Sequence, residues 1–315
     1  MNPKENYLRV IYRNQPDHIP YPGEPGLIII ASDFVERPIL AGYDDWGCLW
    51  DYSESTGSYP SASRKLMNLE NIDNFEVPDP YRPNLFEPFI RKLEEVGKRE
   101  NLVIGFTDFG LFERSWLLVG MDNLLISMIE APEVVVKIFR KIADFKIAMA
   151  TQFMKLGADG VWFGDDWGTQ NNLFMSPQLW RELIKPEQAR MYKAVKEMNG
   201  IIFQHSCGRI ESIIEDLVEI GMDVWHPCQP CNNLALLKQK YGDRMCFAGA
   251  IDSQYVLPLG SPEEVREEVR KRIKELGVNG GFIPLPSHEI PFPRENWDAM
   301  IDEIKKIRRY PTLNR

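Results

Sequence analysis

The amino-acid sequence predicts a single-domain α/β protein folded as a (β/α)8 TIM barrel. From about residue 100 onward, short apolar runs alternate with amphipathic helical stretches, and the runs end in polar clusters. This alternation suits either a doubly wound open sheet or a closed barrel. An open sheet that binds a nucleotide carries a glycine-rich turn after its first strand, and the sequence has neither G-x-G-x-x-G nor a Walker motif. The closed barrel is therefore preferred.

Six apolar runs are the predicted parallel strands. They are rich in β-branched and aromatic residues, which is typical of strands buried on both faces of a sheet. The runs are residues 102–106, 160–164, 200–204, 222–225, 245–249 and 280–284. The chain up to about residue 100 is richer in proline and aspartate and is interpreted as irregular early barrel elements. Since no linker or repeat divides the sequence, residues 1–315 are predicted to form one domain.

Two helix starts can be read from capping residues. Ser176 precedes Pro177, so a capping hydroxyl stands before a proline at the first helical position, and the helix should run toward Met198. Ser261 and Glu264 have the spacing of a capping box. Both predicted helices lie between predicted strands, as a barrel requires.

Composition and charge exclude several classes of function. The formal net charge is −9 and no basic run opposes it, which argues against a nucleic-acid surface. The N-terminus lacks the basic and apolar regions of a signal peptide, and no apolar stretch reaches the roughly 18 residues of a membrane span. Five scattered cysteines do not form a disulfide framework and suggest reduced thiols. A soluble cytoplasmic protein is expected.

Unusual polar residues follow the apolar runs, at the predicted carboxyl ends of the strands. In a barrel, the carboxyl ends of the strands meet at one rim, and barrel enzymes keep their active sites there. The residues in question are Asp165 and Asp166, His205 and Cys207, His226 and Cys228, Asp252 and His288. We therefore expect the active site at this rim.

The segment His205-Ser206-Cys207 is the sharpest local signal. In extended backbone, residues i and i+2 point to the same side, so both side chains can reach into the mouth of the barrel. An imidazole and a thiolate together suit Zn²⁺. A buried histidine beside a buried cysteine is the alternative, because both are common in protein cores.

A second cysteine motif, Cys228-Gln-Pro-Cys231, competes with this interpretation. C-x-x-C occurs in redox sites and in zinc half-sites, but no second copy exists to complete a four-thiolate site. Packing in a strand-end loop is therefore favoured, although His226 could line the pocket. Asp165 and Asp166 are candidates for a base, a metal ligand or the partner of a ligating histidine, unless one of them caps the following turn.

Over nearly its whole length the sequence resembles the uroporphyrinogen decarboxylase superfamily. The resemblance rests on residues 157–168, 176–186, 205–208, 249–252 and 286–290. It implies a (β/α)8 barrel, often assembled as a homodimer. Within this superfamily, porphyrinogen decarboxylases use no metal and carry an N-terminal Arg-Gln-Ala-Gly-Arg segment, which this sequence lacks.

The other branch comprises zinc methyltransferases that serve corrinoid proteins and carry His-x-Cys with a later cysteine as ligands. Resemblance to that branch implies His205 and Cys207 as zinc ligands, with His288 where the third ligand should be. Decarboxylases also have a histidine near that point. One thiolate and two neutral imidazoles leave a Zn²⁺ site with a net charge of +1, which favours polarising an ether oxygen.

The expected function is a zinc-dependent methyl transfer between a small substrate, favoured as a methoxylated aromatic, and a corrinoid. Since Asp-x-His-x-x-Gly is absent, the corrinoid should be carried by a separate partner protein. Asp165, Asp166 and His226 are the predicted catalytic residues. A metal-free decarboxylase that uses Asp165 or Asp166 with His288 for proton transfer is the alternative, and a non-catalytic corrinoid receptor is a third possibility.

Overall fold

The computed structural model of the chain describes residues 1–51, 61–62, 66–288 and 291–312. Residues 289–290, which belong to the last motif above, lie outside these ranges. In chain order the strands are β1 (Leu27–Ile30), β2 (Gly42–Tyr43), β3 (Leu49–Asp51), β4 (Ser61–Ala62), β5 (Leu102–Thr107), β6 (Gly160–Gly164), β7 (Ile201–His205), β8 (Val224–His226), β9 (Cys246–Ile251) and β10 (Phe282–Pro286).

Seven of these strands form one curled parallel sheet. Its order is β1-β5-β6-β7-β8-β9-β10, so the strands of this sheet follow chain order, and from β5 onward each strand pairs with the next one along the chain. The strands β2, β3 and β4 form a small antiparallel sheet. The predicted α/β fold and all six predicted strands are confirmed. Closure into eight strands stays a prediction, since no ladder joins β1 to β10 within the described ranges.

The curl of the sheet is visible in its interior side chains. Apolar residues from β5, β7, β8, β9 and β10 form one buried cluster with residues of the N-terminal helix. These are Leu102, Ile104, Ile201, Phe203, Val224, Cys246, Ala248 and Ile283, joined by Tyr7, Val10 and Ile11. Burial of each large side chain contributes about 1.5–3 kcal/mol. The N-terminal helix thus packs against the amino-terminal end of the sheet. The carboxyl end, where the polar residues named in the sequence analysis are expected, is not covered by this helix.

The helices lie around this sheet. They are α1 (Pro3–Tyr12), α2 (Glu87–Val96), α3 (Leu111–Val119), α4 (Met121–Glu130), α5 (Pro132–Lys155), α6 (Pro177–Leu183), α7 (Lys185–Lys196), α8 (Ile214–Glu219), α9 (Leu234–Tyr241), α10 (Val256–Leu259), α11 (Pro262–Leu276) and α12 (Arg294–Ile307). A short 3-10 helix spans Leu69–Asn74. In the part of the chain described, no helix combines the length and apolar character needed to cross a bilayer.

Both predicted helix caps are present, but one predicted helix is divided. Ser176 Oγ accepts the backbone N–H of Leu179 at 3.1 Å, and Ser261 and Glu264 form the capping box. The helix expected to run from Ser176 toward Met198 is instead two helices, α6 and α7. Pro186 lies at the start of α7, and a proline has no N–H with which to continue the hydrogen-bond ladder of α6.

The N-terminal part attaches to α3 and α5 through buried ion pairs. The fully buried guanidinium of Arg114 contacts Asp44 at 2.6 Å and Glu36 at 2.8 Å. Lys146 is also buried and pairs with Glu36. Removing one partner of such a network leaves an uncompensated buried charge, which costs about 3–5 kcal/mol. These pairs therefore fix the N-terminal part against the two helices.

Candidate metal centre

Two histidines lie side by side at the carboxyl ends of β7 and β8. The strand register pairs His205 with His226, and their Nδ1 atoms are 2.9 Å apart. The ring of Trp162 on β6 packs against both imidazoles, with centroid distances of 5.7 Å and 4.7 Å. The period of two along the strands brings all three side chains to the same face.

Asp166, His205 and Cys207 converge on one point beside this pair. His205 Nε2 is 3.5 Å from Cys207 Sγ and 3.4 Å from Asp166 Oδ1. The backbone N–H of Cys207 donates to Asp166 Oδ1 at 2.7 Å. Within the described ranges, these three side chains are close enough to share a metal ion, with ligand atoms within 4.8 Å of one another.

The donor set fits zinc, since imidazole nitrogen, thiolate sulfur and carboxylate oxygen are its usual protein ligands. Burial, reinforced by the nearby Asp166 carboxylate, raises the pKa of Cys207. Burial would also raise the pKa of Asp166, but the hydrogen bond and charge of His205 and donors from Cys207 hold it below its usual value. A bound cation deprotonates a coordinating thiol. We therefore expect the thiolate to form together with metal binding.

Asp165 has a different environment from its neighbour Asp166. It is 1% exposed, and its two carboxylate oxygens accept the N–H groups of Phe112 at 3.0 Å and Glu113 at 2.8 Å. Trp167 Nε1 donates to it at 2.8 Å. Burial raises the pKa of Asp165 to about 7 in spite of these donors. The geometry thus makes Asp165 an acceptor for two N–H groups in the first turn of α3, and its catalytic role stays a prediction.

Glu113 is a polar residue of the site that the sequence did not indicate. Its Oε2 accepts the backbone N–H of Asp166 at 2.9 Å. Burial, followed by the charges of Asp166 and Asp165, raises the pKa of Glu113 well above its usual value. Glu113 lies in the first turn of α3, where an acidic residue is common, so no local motif marks it.

We call Asp166, His205 and Cys207 the three-ligand group. His288 lies outside it, so the predicted ligand set is not brought together as a whole. It follows β10, which is the third strand after β7 in the sheet, whereas Asp166 follows β6, which pairs directly with β7. The backbone N–H of His288 donates to Ser253 Oγ at 2.9 Å. Burial, His205 and His288 together lower the pKa of His226 well below its usual value.

A cavity of about 660 Å³ lies at the carboxyl end of the sheet, and none of Asp166, His205 and Cys207 is among its lining residues. Its wall includes Gln170, Asn171, Gln229, Cys231, Asp252 and His288. Gln229 connects the cavity to this group of three side chains, because its Oε1 accepts the N–H of Gly208, next to Cys207. The cavity therefore provides space for a small molecule close to the candidate metal centre.

The cysteines of the C-x-x-C motif separate in the structure. Cys228 is fully buried and donates its S–H to the carbonyl of Ala248 at 3.0 Å, a packing role. Cys231 is half-buried, lines the cavity and accepts a hydrogen bond from Asn232 Nδ2 at 3.5 Å. The favoured interpretation as a packed loop thus fits Cys228 better than Cys231.

Comparison with known proteins identifies the family. A family model described as uroporphyrinogen decarboxylase (URO-D) matches residues 35–307. The chain belongs to the uroporphyrinogen decarboxylase family. The match begins in the N-terminal part and ends at the last residue of α12, so it covers the whole candidate site and every strand of the parallel sheet except β1. The resemblance noted in the sequence is confirmed at the level of the family.

The relatives that this chain matches are named for two different activities, methyl transfer and decarboxylation. Methylcobamide:CoM methyltransferase MtaA of Methanosarcina barkeri is 26% identical over 159 residues, 49% of this chain and 44% of that protein. The chain thus spans about half the length of this relative. Uroporphyrinogen decarboxylase of Methylococcus capsulatus is 24% identical over 295 residues, 89% of this chain and 79% of that protein.

A solved structure supports the fold. The methyltransferase from Methanosarcina mazei superposes with a TM-score of 0.76 at 16% identity, covering 98% of this chain and 99% of that chain. At this identity the likeness establishes the architecture alone. The two proteins therefore share one fold over nearly all of both chains.

Proposed function

We propose that the protein is a zinc-dependent methyltransferase that moves a methyl group between a small substrate and the corrinoid of a separate protein. The observation that supports this most is the convergence of Asp166, His205 and Cys207 at the ends of two adjacent strands. The similarity to a relative named as a methylcobamide methyltransferase adds to it. Zinc would be held by His205 Nε2, Cys207 Sγ and an Asp166 carboxylate oxygen.

When bound, zinc would supply a Lewis acid that polarises a substrate oxygen or sulfur. The chain's own residues orient the ligands. Asp166 accepts the backbone N–H of Cys207 and fixes the thiol beside His205, while His226 holds the opposite nitrogen of that imidazole. Trp162 lies against both imidazoles and restricts water on that side.

The proposed ligand set changes the charge argument made from the sequence. With Asp166 in place of His288, a thiolate and a carboxylate make the Zn²⁺ site formally neutral rather than +1. Charge alone therefore no longer favours an ether over a thiol as the substrate. A methoxylated aromatic remains our proposed methyl donor, and its support now comes from the cavity beside the ligands.

A metal-free decarboxylase is the second candidate, favoured by the long match to uroporphyrinogen decarboxylase of Methylococcus capsulatus. Against it, none of the described residues lining the cavity is lysine or arginine. Substrates with several carboxylates are usually held by such residues. The homodimer implied by the resemblance stays a prediction.

Metal analysis of the purified protein tests the proposal. We expect about one zinc per chain in the wild type, loss of zinc in Cys207→Ala, and retention in Cys228→Ala, which removes a buried thiol outside the three-ligand group. The wild type should then transfer methyl groups to or from a free corrinoid. Metal-free wild type that decarboxylates a tetrapyrrole acid would replace this proposal with the second candidate.

A further inference from the structure

The cavity beside the metal ligands has a distinctive charge. Its wall carries four side-chain amides, from Gln170, Asn171, Gln229 and Gln254, and one carboxylate, from Asp252. None of the described residues in this wall is lysine or arginine. A ligand in the cavity would therefore meet hydrogen-bond donors and acceptors, one carboxylate and the imidazole of His288.

The carboxylate of Asp252 is held in place by its own loop. Its Oδ1 accepts the backbone N–H groups of Gln254 at 2.7 Å and Tyr255 at 2.9 Å. These donors fix the position of the carboxylate in the wall. A negatively charged group on a ligand would face this carboxylate with no lysine or arginine among the described lining residues beside it.

Cations near the site are paired with carboxylates. Arg209, which follows the Cys207-Gly208 loop, contacts Glu211 through two guanidinium nitrogens. Arg114 is completely buried and paired with Glu36 and Asp44. Both arginines are paired within the chain, and neither is among the described residues that line the cavity.

The wall also offers a flat apolar surface at its edge. Tyr255 is 60% exposed although it lines the cavity, and Pro230 lies in the same wall. An exposed aromatic ring can stack on another ring at low cost in conformational freedom. The combination of amides, a carboxylate and an exposed ring suits an uncharged, hydrogen-bonding aromatic molecule.

We propose, resting on the proposed function, that the methyl donor is an uncharged methoxylated arene and that the cavity disfavours donors bearing a carboxylate or sulfonate. In the reaction, the bond between the ether oxygen and the methyl carbon breaks. The methyl group passes as a cation to the reduced corrinoid of the partner protein, which supplies the electron pair of the new bond. The ether oxygen keeps its own electron pair and takes a proton.

The first test measures binding to the zinc-loaded protein by titration calorimetry. The probes are 2-methoxyphenol, which is neutral at pH 7, and 4-hydroxy-3-methoxybenzoate, which carries an added carboxylate. We expect the neutral probe to bind at least tenfold more tightly. Equal affinities, tighter binding of the carboxylate, or no binding of either probe would overturn the inference.

A charge introduced into the wall provides the reciprocal test. Gln254→Arg adds a cation beside Asp252 and should shift the ratio of the two affinities about tenfold toward the carboxylated probe. Gln178→Arg is the matched control, because Gln178 lies on α6, is exposed and does not line this cavity. The control should leave the ratio unchanged, and an equal shift in both variants would contradict a local effect of the cavity.

Methyl transfer separates failure of the inference from failure of the proposed function. Demethylation of the carboxylated probe by the zinc-loaded wild type, at a rate equal to that of the neutral probe, would reject the inference and retain the methyltransferase. Absence of zinc together with decarboxylase activity would reject the proposed function. Preferential demethylation of 2-methoxyphenol would support both.

Discussion

The Nδ1 atoms of His205 and His226 lie 2.9 Å apart, so one imidazole donates a proton to the other. If His205 binds zinc through Nε2, its Nδ1 carries the proton and His226 must accept it. The neutral state of His226 agrees with this arrangement, since burial lowers its pKa well below the usual value. We infer that His226 selects the tautomer of His205 that can bind metal.

Replacing His226 should therefore weaken zinc binding without removing a ligand. Partners that orient a ligating histidine typically contribute about 10–100-fold in metal affinity. We expect His226→Ala to lose affinity within that range, measured by competition with a chelator. His226→Gln keeps an acceptor and should recover part of the loss. Unchanged affinity in His226→Ala would contradict the inference.

A close approach between two loops fixes the position of Cys207. Gly208 has a φ of +82°, and a Cβ at this position would lie 2.2 Å from the carbonyl carbon of Gly168. Gly208→Ala should therefore displace the Cys207 loop, lowering the free energy of unfolding by more than about 2 kcal/mol and reducing bound zinc.

Gly23→Ala is the matched control for this effect. Gly23 has a nearly identical φ of +83°, but a Cβ there would meet nothing within 4 Å. It should cost only the backbone strain, about 1–2 kcal/mol, and leave zinc content intact. Denaturant unfolding and metal analysis of both variants make the comparison. Equal effects of the two substitutions would show that the contact with Gly168 is unimportant.

Substitution of Asp165 distinguishes a role in capping α3 from a role in catalysis. If it caps α3, Asp165→Ala leaves buried N–H groups of Phe112, Glu113 and Trp167 without their acceptor, at a cost of about 1–3 kcal/mol in unfolding free energy. Ser176→Ala, which removes the exposed cap of α6, should cost about 1 kcal/mol and leave the site unchanged. Loss of activity in Asp165→Ala at full wild-type stability would instead support the predicted catalytic role.

Short-range periodicity explains what the sequence could predict about the site. His205 and Cys207 are two residues apart near the end of a strand, and the alternation of side chains alone brings them together. His226 ends the next strand, so the parallel order of the sheet was enough to predict that it lies nearby. Such relationships need only the strand positions and the chain-order topology.

The remaining features depend on contacts between distant segments. Asp165 and Asp166 are adjacent in sequence, and their roles differ only because the N-terminus of α3 meets one of them. Glu113 reaches the site from that same helix, 53 residues before Asp166. His288 is not one of the three grouped side chains although its charge acts on His226, and no local pattern in the sequence reports this difference.

The lowered pKa of Lys238, which lies away from the candidate site, predicts a pH dependence of stability. Its Nζ donates to the carbonyl of Gly280 at 2.7 Å, and burial lowers its pKa to about 8, with Arg13 adding to the effect and Cys246 opposing it. The unfolded chain keeps the ordinary value of about 10.5. Between pH 8 and 10.5 the folded state therefore binds fewer protons than the unfolded state, and stability contributed by this group rises with pH.

The difference in unfolding free energy between wild type and Lys238→Met isolates this contribution. We expect the difference to shift in favour of the wild type by about 1–3 kcal/mol as pH rises through this window, since one unit of pKa corresponds to about 1.4 kcal/mol and the lysine is only partly buried. Urea unfolding at pH 7.5, 8.5, 9.5 and 10 gives the measurement. Lys193→Met, at a side chain that is 74% exposed, should show a constant difference. A constant difference for Lys238→Met as well would mean that Lys238 titrates normally in the folded protein.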